Sequence, residues 1–280
     1  MSELHKFLFE GQPVRGMLVR LTGGWQEVLR RRDEAEDTFP APVRGLLGEM
    51  AAAALLMQAN IKFNGALVLQ VFGDGPVKLA VAEVQPDLAF RVTAKVVGEV
   101  RPDARLEAML NVHGQGRCAI TLDPQDKLPG QQPYQGIVPL HGDRREPLQQ
   151  LAEVLEHYML QSEQLDTKLV LAAATLTREE LLGLDADTIL RRLFWEEDLR
   201  RFPTLSGEHG PRFECRCSRE RVGAMLRSLG RAEIDSIVAE RGEVEIGCDF
   251  CGAQYHFDPV DVGELFTPGR DQPPASGKVQ

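Results

Sequence analysis

Two short stretches decide how this chain is organised: residues 213–221 read FECRCSRER, and residues 246–257 read IGCDFCGAQYHF. Four of the five cysteines lie in them, Cys215 with Cys217 and Cys248 with Cys251. Two closely spaced thiol pairs, separated by residues 218–247, predict one metal site with four sulfur ligands. Zinc prefers four soft ligands in a tetrahedron, so the expected ion is Zn²⁺.

Two other uses of paired cysteines fit this sequence less well. Structural disulfides need an oxidising compartment, and the first 16 residues, MSELHKFLFEGQPVRG, lack the features of an export signal. A cytoplasmic location is therefore expected. A thioredoxin-like enzyme would place its Cys-x-x-Cys at a helix start, but residues 243–246 and 254–257 alternate like short strands. Gly252 supplies the permissive backbone for a tight metal-binding turn between them.

The fifth cysteine has a different setting. Cys118 shares one face of a predicted strand with Ile120 and Leu122. We expect it to be an inert core residue.

Composition indicates a globular protein with one large and one small domain. The chain has 280 residues, 43% of them hydrophobic, and no apolar run long enough to span a membrane. Its net charge of -10 argues against a phosphate-binding surface. Neither nucleic acid nor a membrane is expected as a partner.

The pattern before residue 177 predicts an α+β domain in which sheet and helices are mixed. Pro40 and Pro42 precede a helix with apolar residues at helical spacing: Val43, Leu46, Leu47, Met50, Ala51, Ala54 and Leu55. Strands are predicted at 66–72, 77–84 and 90–96, a loop at 129–139, and a second amphipathic helix from Leu148 to Met159. No catalytic motif stands out here, so an enzyme is not expected.

A charged helical linker is predicted next. Thr177–Glu180 forms a capping box, and a following helix carries Ile189, Leu190, Leu193 and Phe194 on one side. Such a stripe cannot be buried on itself, so it must lie against another surface. Two short helices ending at Gly230 and Gly242 are expected between the cysteine pairs.

The fold class is therefore α+β: an N-terminal sheet-and-helix domain, a helical linker and a small C-terminal zinc-binding domain. The predicted boundaries are 1–176 for the N-terminal α+β domain, 177–207 for the linker, 208–266 for the zinc domain and 267–280 for a disordered tail.

Several motifs resemble one known family, the redox-regulated holdase heat-shock protein 33. In the C-terminal part they are Cys-x-Cys with residues 218–221 (SRER), and Cys-x-x-Cys with Tyr255-x-Phe257-Asp258. Upstream, the resemblance rests on residues 14–16 (VRG), 46–49 (LLGE), 62–65 (KFNG), 73–76 (GDGP), 134–138 (YQGIV) and 162–165 (SEQL). It covers nearly the whole chain.

The resemblance implies a cytosolic chaperone that works without ATP and binds unfolded or aggregation-prone clients. It implies that residues 1–176 are the substrate-binding and dimerisation domain and that residues 208–266 are the redox switch. It also implies that the reduced, zinc-bound protein is an inactive monomer. On oxidation, disulfides Cys215–Cys217 and Cys248–Cys251 would form, zinc would leave and the protein would become a homodimer.

One departure from the family pattern lies just before the linker. After residues 166–171 (DTKLVL) the family usually continues with a Gly-Gly-containing strand and a helix, whereas this chain passes through residues 172–176 (AAATL) to the linker. Residue 166 is also Asp where many members have Pro. We expect less docking surface for the linker, which would leave some activity in the reduced state.

The switch has a simple physical basis. A segment of about 55 residues buries little apolar surface, so a metal is expected to hold it together. Structural zinc contributes on the order of 10–16 kcal/mol in small peptides, more than the net stability of most domains. Two alternatives remain at this point: a structural zinc module without a redox switch, and a thiol oxidoreductase.

Overall fold

The computed structural model describes residues 2–127, 130–173 and 183–267. By its internal contacts the chain divides into a larger unit, Met1–Cys215 with Asp249–Cys251, and a smaller unit, Arg216–Cys248 with Gly252–Gln280. The predicted capping box at Thr177–Glu180 and the predicted tail from Pro268 lie outside the described residues.

The described elements follow one another in this order: β1 (Glu3–Phe9), β2 (Arg15–Arg20), α1 (Gly23–Glu34), α2 (Ala41–Asn60), β3 (Gly65–Phe72), β4 (Val77–Val84), β5 (Ala89–Val96), α3 (Leu106–Leu110), β6 (Arg117–Pro124), β7 (Tyr134–Pro139), α4 (Leu151–Glu163), α5 (Ala186–Leu193), β8 (Leu199–Arg201), β9 (Leu205–Ser206), a short 3-10 turn (Gly207–His209), β10 (Arg212–Phe213), α6 (Arg219–Leu229), α7 (Arg231–Arg241), β11 (Val244–Gly247), β12 (Gln254–Phe257) and α8 (Pro259–Leu265). The predicted α+β class is confirmed.

A six-stranded sheet forms the base of the larger unit, in the order β10-β5-β4-β3-β6-β7. All neighbours are antiparallel except β10, which runs parallel to β5. Helix α2 begins after Pro40, and its apolar residues are buried in one core with the inner side chains of β3, β4 and β6. The predicted helix and the three predicted strands are confirmed.

The predicted loop at 129–139 is wrong over its second half. Residues 134–139 form β7, which pairs antiparallel with β6 and matches Cys118 with Val138. The sequence there is rich in Gly, Pro and Gln, so local propensity favours a loop. Backbone hydrogen bonds to a neighbouring strand override that preference.

A second sheet of the larger unit is built around β1. Strand β2 pairs with one edge of β1, and the linker strands β8 and β9 pair with the other. The linker prediction is therefore corrected: it is helical in α5 but extended at Leu199–Arg201. The prediction that Leu193 lies on the packed side of the helix is also wrong. Its side chain is 61% exposed, while Ile189 and Leu190 are buried.

The smaller unit has its own, much smaller core. Helices α6 and α7, the β11–β12 hairpin and α8 bury five residues together: Leu226, Ile234, Val244, Phe257 and Val262. The predicted helix ends at Gly230 and Gly242 are confirmed, and both glycines have positive φ, 93° and 87°. Side chains of Ser218 and Asp258 cap the starts of α6 and α8.

Candidate metal centre

The structure brings the four predicted cysteines together. The sulfur atoms of Cys215, Cys217, Cys248 and Cys251 all lie within 4.8 Å of one another. A tetrahedral ion with metal–sulfur bonds of about 2.3 Å needs sulfurs about 3.8 Å apart, so small movements would close the cluster around it. Four thiols and no oxygen ligand form a donor set that suits a soft or borderline ion.

The turn between β11 and β12 positions the second cysteine pair. The Cys248 backbone N–H donates to the Ala253 carbonyl at 2.9 Å, and the Gly252 N–H donates to the Cys248 carbonyl at 2.8 Å. Gly252 has φ of +73°, in the left-handed region that favours glycine. The predicted strand–turn–strand arrangement and the role of Gly252 are confirmed.

The first pair is positioned by the element on each side of it. Before Cys215, the Glu214 N–H donates to the Phe90 carbonyl at 3.0 Å and extends the pairing of β10 with β5. After Cys217, the Ser218 side chain accepts a hydrogen bond from the Arg221 N–H at 3.2 Å and starts helix α6. The pair therefore lies between a strand end and a helix start.

Three residues far away in sequence hold the turn at Asp249, which belongs to the larger unit. The Thr93 hydroxyl donates to the Asp249 carbonyl at 2.6 Å, and the buried guanidinium of Arg32 donates to the same oxygen. The guanidinium of Arg91 lies 4.0 Å from the centroid of the Phe250 ring. Sequence reasoning missed all three, because no local pattern links them to the cysteines.

Cys118 takes no part in the cluster. It lies in β6, its side chain is fully buried, and burial raises the pKa of its thiol to about 12. The thiol is therefore protonated at neutral pH and reacts poorly as a nucleophile. This confirms the expectation of a core residue.

Comparison with known proteins identifies the family. The family model described as Hsp33 protein matches residues 2–175 and 171–258. The 33 kDa chaperonin of Chromobacterium violaceum is 43% identical over an alignment covering 95% of this chain and 94% of its own length. That of Methylobacillus flagellatus is 42% identical, with 96% and 98% covered.

The chain belongs to the Hsp33 family. This places it among chaperones, and its four clustered cysteines can hold a metal ion. The two family matches overlap at residues 171–175, within the stretch where a departure from the family pattern was predicted. The alignment with the Chromobacterium protein runs to 298 positions against 280 residues here, so that relative has residues which this chain lacks.

A solved structure shares the fold. The 33 kDa chaperonin of Thermotoga maritima superposes with a TM-score of 0.71 at 20% identity, covering 95% of this chain and 98% of its own. Among the described residues, no helix is long and apolar enough to cross a membrane.

Proposed function

We propose that this protein is a redox-regulated holdase that binds unfolding proteins without ATP. In its reduced form it would hold one zinc ion through Cys215, Cys217, Cys248 and Cys251 and be inactive or nearly so. One observation carries the proposal: a chain of a chaperone family brings four thiols within 4.8 Å of one another. Zinc is proposed because it favours four thiolates in a tetrahedron.

The proposed switch is the oxidation of both cysteine pairs. Each disulfide, Cys215–Cys217 or Cys248–Cys251, forms when a thiol pair gives two electrons to an oxidant such as hydrogen peroxide, which is reduced to two waters. Bound zinc keeps its cysteine ligands deprotonated, and thiolates are the form that peroxide attacks. Disulfide sulfurs are poor metal ligands, so oxidation and metal loss are expected to occur together.

The small core of the smaller unit makes it depend on the metal. Five buried residues are far fewer than in the core of the larger unit. A domain this small seldom folds without a metal or a disulfide framework. We therefore expect residues 216–248 to unfold when the zinc leaves.

The linker would supply part of the client-binding surface. The Phe194 ring lies 5.6 Å from that of Phe7 and 5.0 Å from that of Phe9, so the linker covers an aromatic face of β1. Exposed apolar surface of this kind binds unfolded chains and also self-associates. We propose that the protein is a monomer when reduced and a homodimer when oxidised, with domains 1–176, 177–207 and 208–266 in the roles predicted above.

A structural zinc module without a switch is the second candidate. It has the same four ligands, but peroxide would not change its activity. The clustering of the thiols fits both candidates, so only a redox experiment separates them. For either, the expected setting is the cytoplasm, with no nucleic acid or membrane as partner.

Substitution of single cysteines tests the ligand set. Zinc content should be one per chain in the reduced protein, and Cys248→Ser should lower zinc affinity sharply. Cys118→Ala is the matched control and should retain one zinc per chain. Full zinc retention in Cys248→Ser would contradict the assignment.

A further inference from the structure

Strand β1 pairs with β2 on one edge and with strands of the linker on the other. Strand β2 pairs along almost all of its length, from Glu3 with Arg20 to Leu8 with Arg15. On the other edge β8 pairs with Phe7–Phe9, and β9 pairs with Glu3 and Leu4. That second edge is therefore covered by linker residues, which lie almost 200 positions after β1 in the sequence.

Backbone hydrogen bonds show which residues face the linker. The Lys6 carbonyl accepts from the Phe202 N–H at 3.0 Å, and the Glu10 N–H donates to the Asp198 carbonyl at 2.9 Å. On the opposite side, the Phe9 N–H donates to the Val14 carbonyl at 3.1 Å. Because these groups alternate along a strand, the peptide groups of Lys6 and Leu8 face the linker edge.

The linker covers this edge with little pairing. Strand β8 has three residues and β9 has two. Between them lies Pro203, which has no N–H to donate. Strands this short contribute few hydrogen bonds, so a longer extended segment would pair better with the seven residues of β1.

An aromatic face lies beside the same edge. The Phe7 and Phe9 rings are 5.7 Å apart, and Phe194 of the linker packs on both. The Phe7 ring lies so close over Gly16 of β2 that a side chain at Gly16 would collide with it. The rings are therefore held on one side of the sheet, where they can contact side chains of an added strand.

We propose that the linker-facing edge of β1 is a client-binding site that takes an extended, apolar segment of an unfolded polypeptide as an added strand. This deepens the proposed holdase function and rests on it. In the structure, Leu199–Ser206 fills the site as an internal mimic of the client. Strand addition matches the needs of a general chaperone, since backbone bonds accept many sequences and the aromatic face selects apolar side chains.

Residue-resolved amide hydrogen exchange tests the site. In the reduced protein, exchange at Leu8 and Glu10 should be slow, because Leu8 pairs with Arg200 of β8 and the Glu10 N–H donates to the Asp198 carbonyl. After peroxide treatment it should become at least tenfold faster, and it should slow again when chemically unfolded citrate synthase is bound. Phe7 and Phe9, whose peptide groups face β2, are internal controls and should stay protected in all three states.

Two methylated peptides test the backbone contact itself. The probe is a fluorescent peptide of residues 194–206, FWEEDLRRFPTLS. N-methylation at Phe202 removes the N–H that bonds to Lys6 and should weaken binding to the oxidised protein about tenfold. N-methylation at Arg201, whose N–H faces away from β1, should change binding less than twofold.

The outcomes separate this site from the holdase function. If oxidised protein suppresses client aggregation while Leu8 and Glu10 exchange equally fast with and without client, the function stands and the site is wrong. If both amides remain protected after oxidation alone, the linker or a second copy occupies the edge, and the site is wrong. If oxidised protein suppresses no aggregation, both are wrong.

Discussion

The five cysteines lie in two different environments, and we expect their thiols to differ in reactivity. Four are clustered, whereas Cys118 is fully buried with its thiol pKa raised to about 12. We predict that iodoacetamide modifies four cysteines in native protein treated with a zinc chelator and a fifth only after unfolding. Mass spectrometry of the labelled protein counts them. Rapid labelling of Cys118 in the native protein would contradict its burial.

Thr93 offers a test of how the Asp249 turn is held. Thr93→Val keeps the shape of the side chain but removes the hydroxyl that donates to the Asp249 carbonyl. Losing one such hydrogen bond costs about 1 kcal/mol, so zinc should transfer to a chelator several-fold faster. The control is Thr121→Val, which loses a side-chain bond to Gln135 on the same sheet. Equal rates in the two variants would show that the Thr93 contact does not support the site.

The sequence predicted the candidate ligands but not the residues around them. Both cysteine pairs are local patterns, and Gly252 marks the turn beside one of them. Arg32 and Thr93 reach Asp249 from 217 and 156 residues away. Contacts of that range depend on the packed fold, so no spacing within the sequence could have shown them.

Two adjacent residues of the linker, Leu193 and Phe194, test how it packs on β1. Phe194→Asp removes the ring that packs on Phe7 and Phe9 and adds a charge there. The reduced variant should therefore suppress client aggregation several-fold better than the reduced wild type. Leu193→Asp, next to it, should behave like wild type because that side chain is 61% exposed. Equal activation by both substitutions would contradict the packing role of Phe194.

Elements with strong periodicity were predictable, and those shaped by their neighbours were not. Helix α2 and strands β3 to β5 follow clear apolar patterns. Strands β8 and β9 have three and two residues, too short for any pattern, and they exist because β1 offers them an edge. The linker was therefore predicted as a helical segment without strands.

The larger and the smaller unit should differ in how much their folding depends on the metal. Chelation of zinc under reducing conditions should unfold α6, α7 and the β11–β12 hairpin, while the large core of residues 2–173 stays folded. Limited trypsin digestion should then cleave at Arg227, Arg231 and Arg241 and leave a stable N-terminal fragment. Resistance of those sites without zinc would show that five core residues suffice to fold the smaller unit.

We propose that oxidation of one cysteine cluster turns a zinc-bound protein into an active holdase. The most direct test measures zinc content and suppression of citrate synthase aggregation on the same sample, first reduced, then treated with peroxide, then reduced again with zinc added. We predict one bound zinc and low but measurable activity, then zinc loss with several-fold higher activity, then return to the first state. Equal activity in all three samples, with zinc released only by peroxide, would contradict the claim.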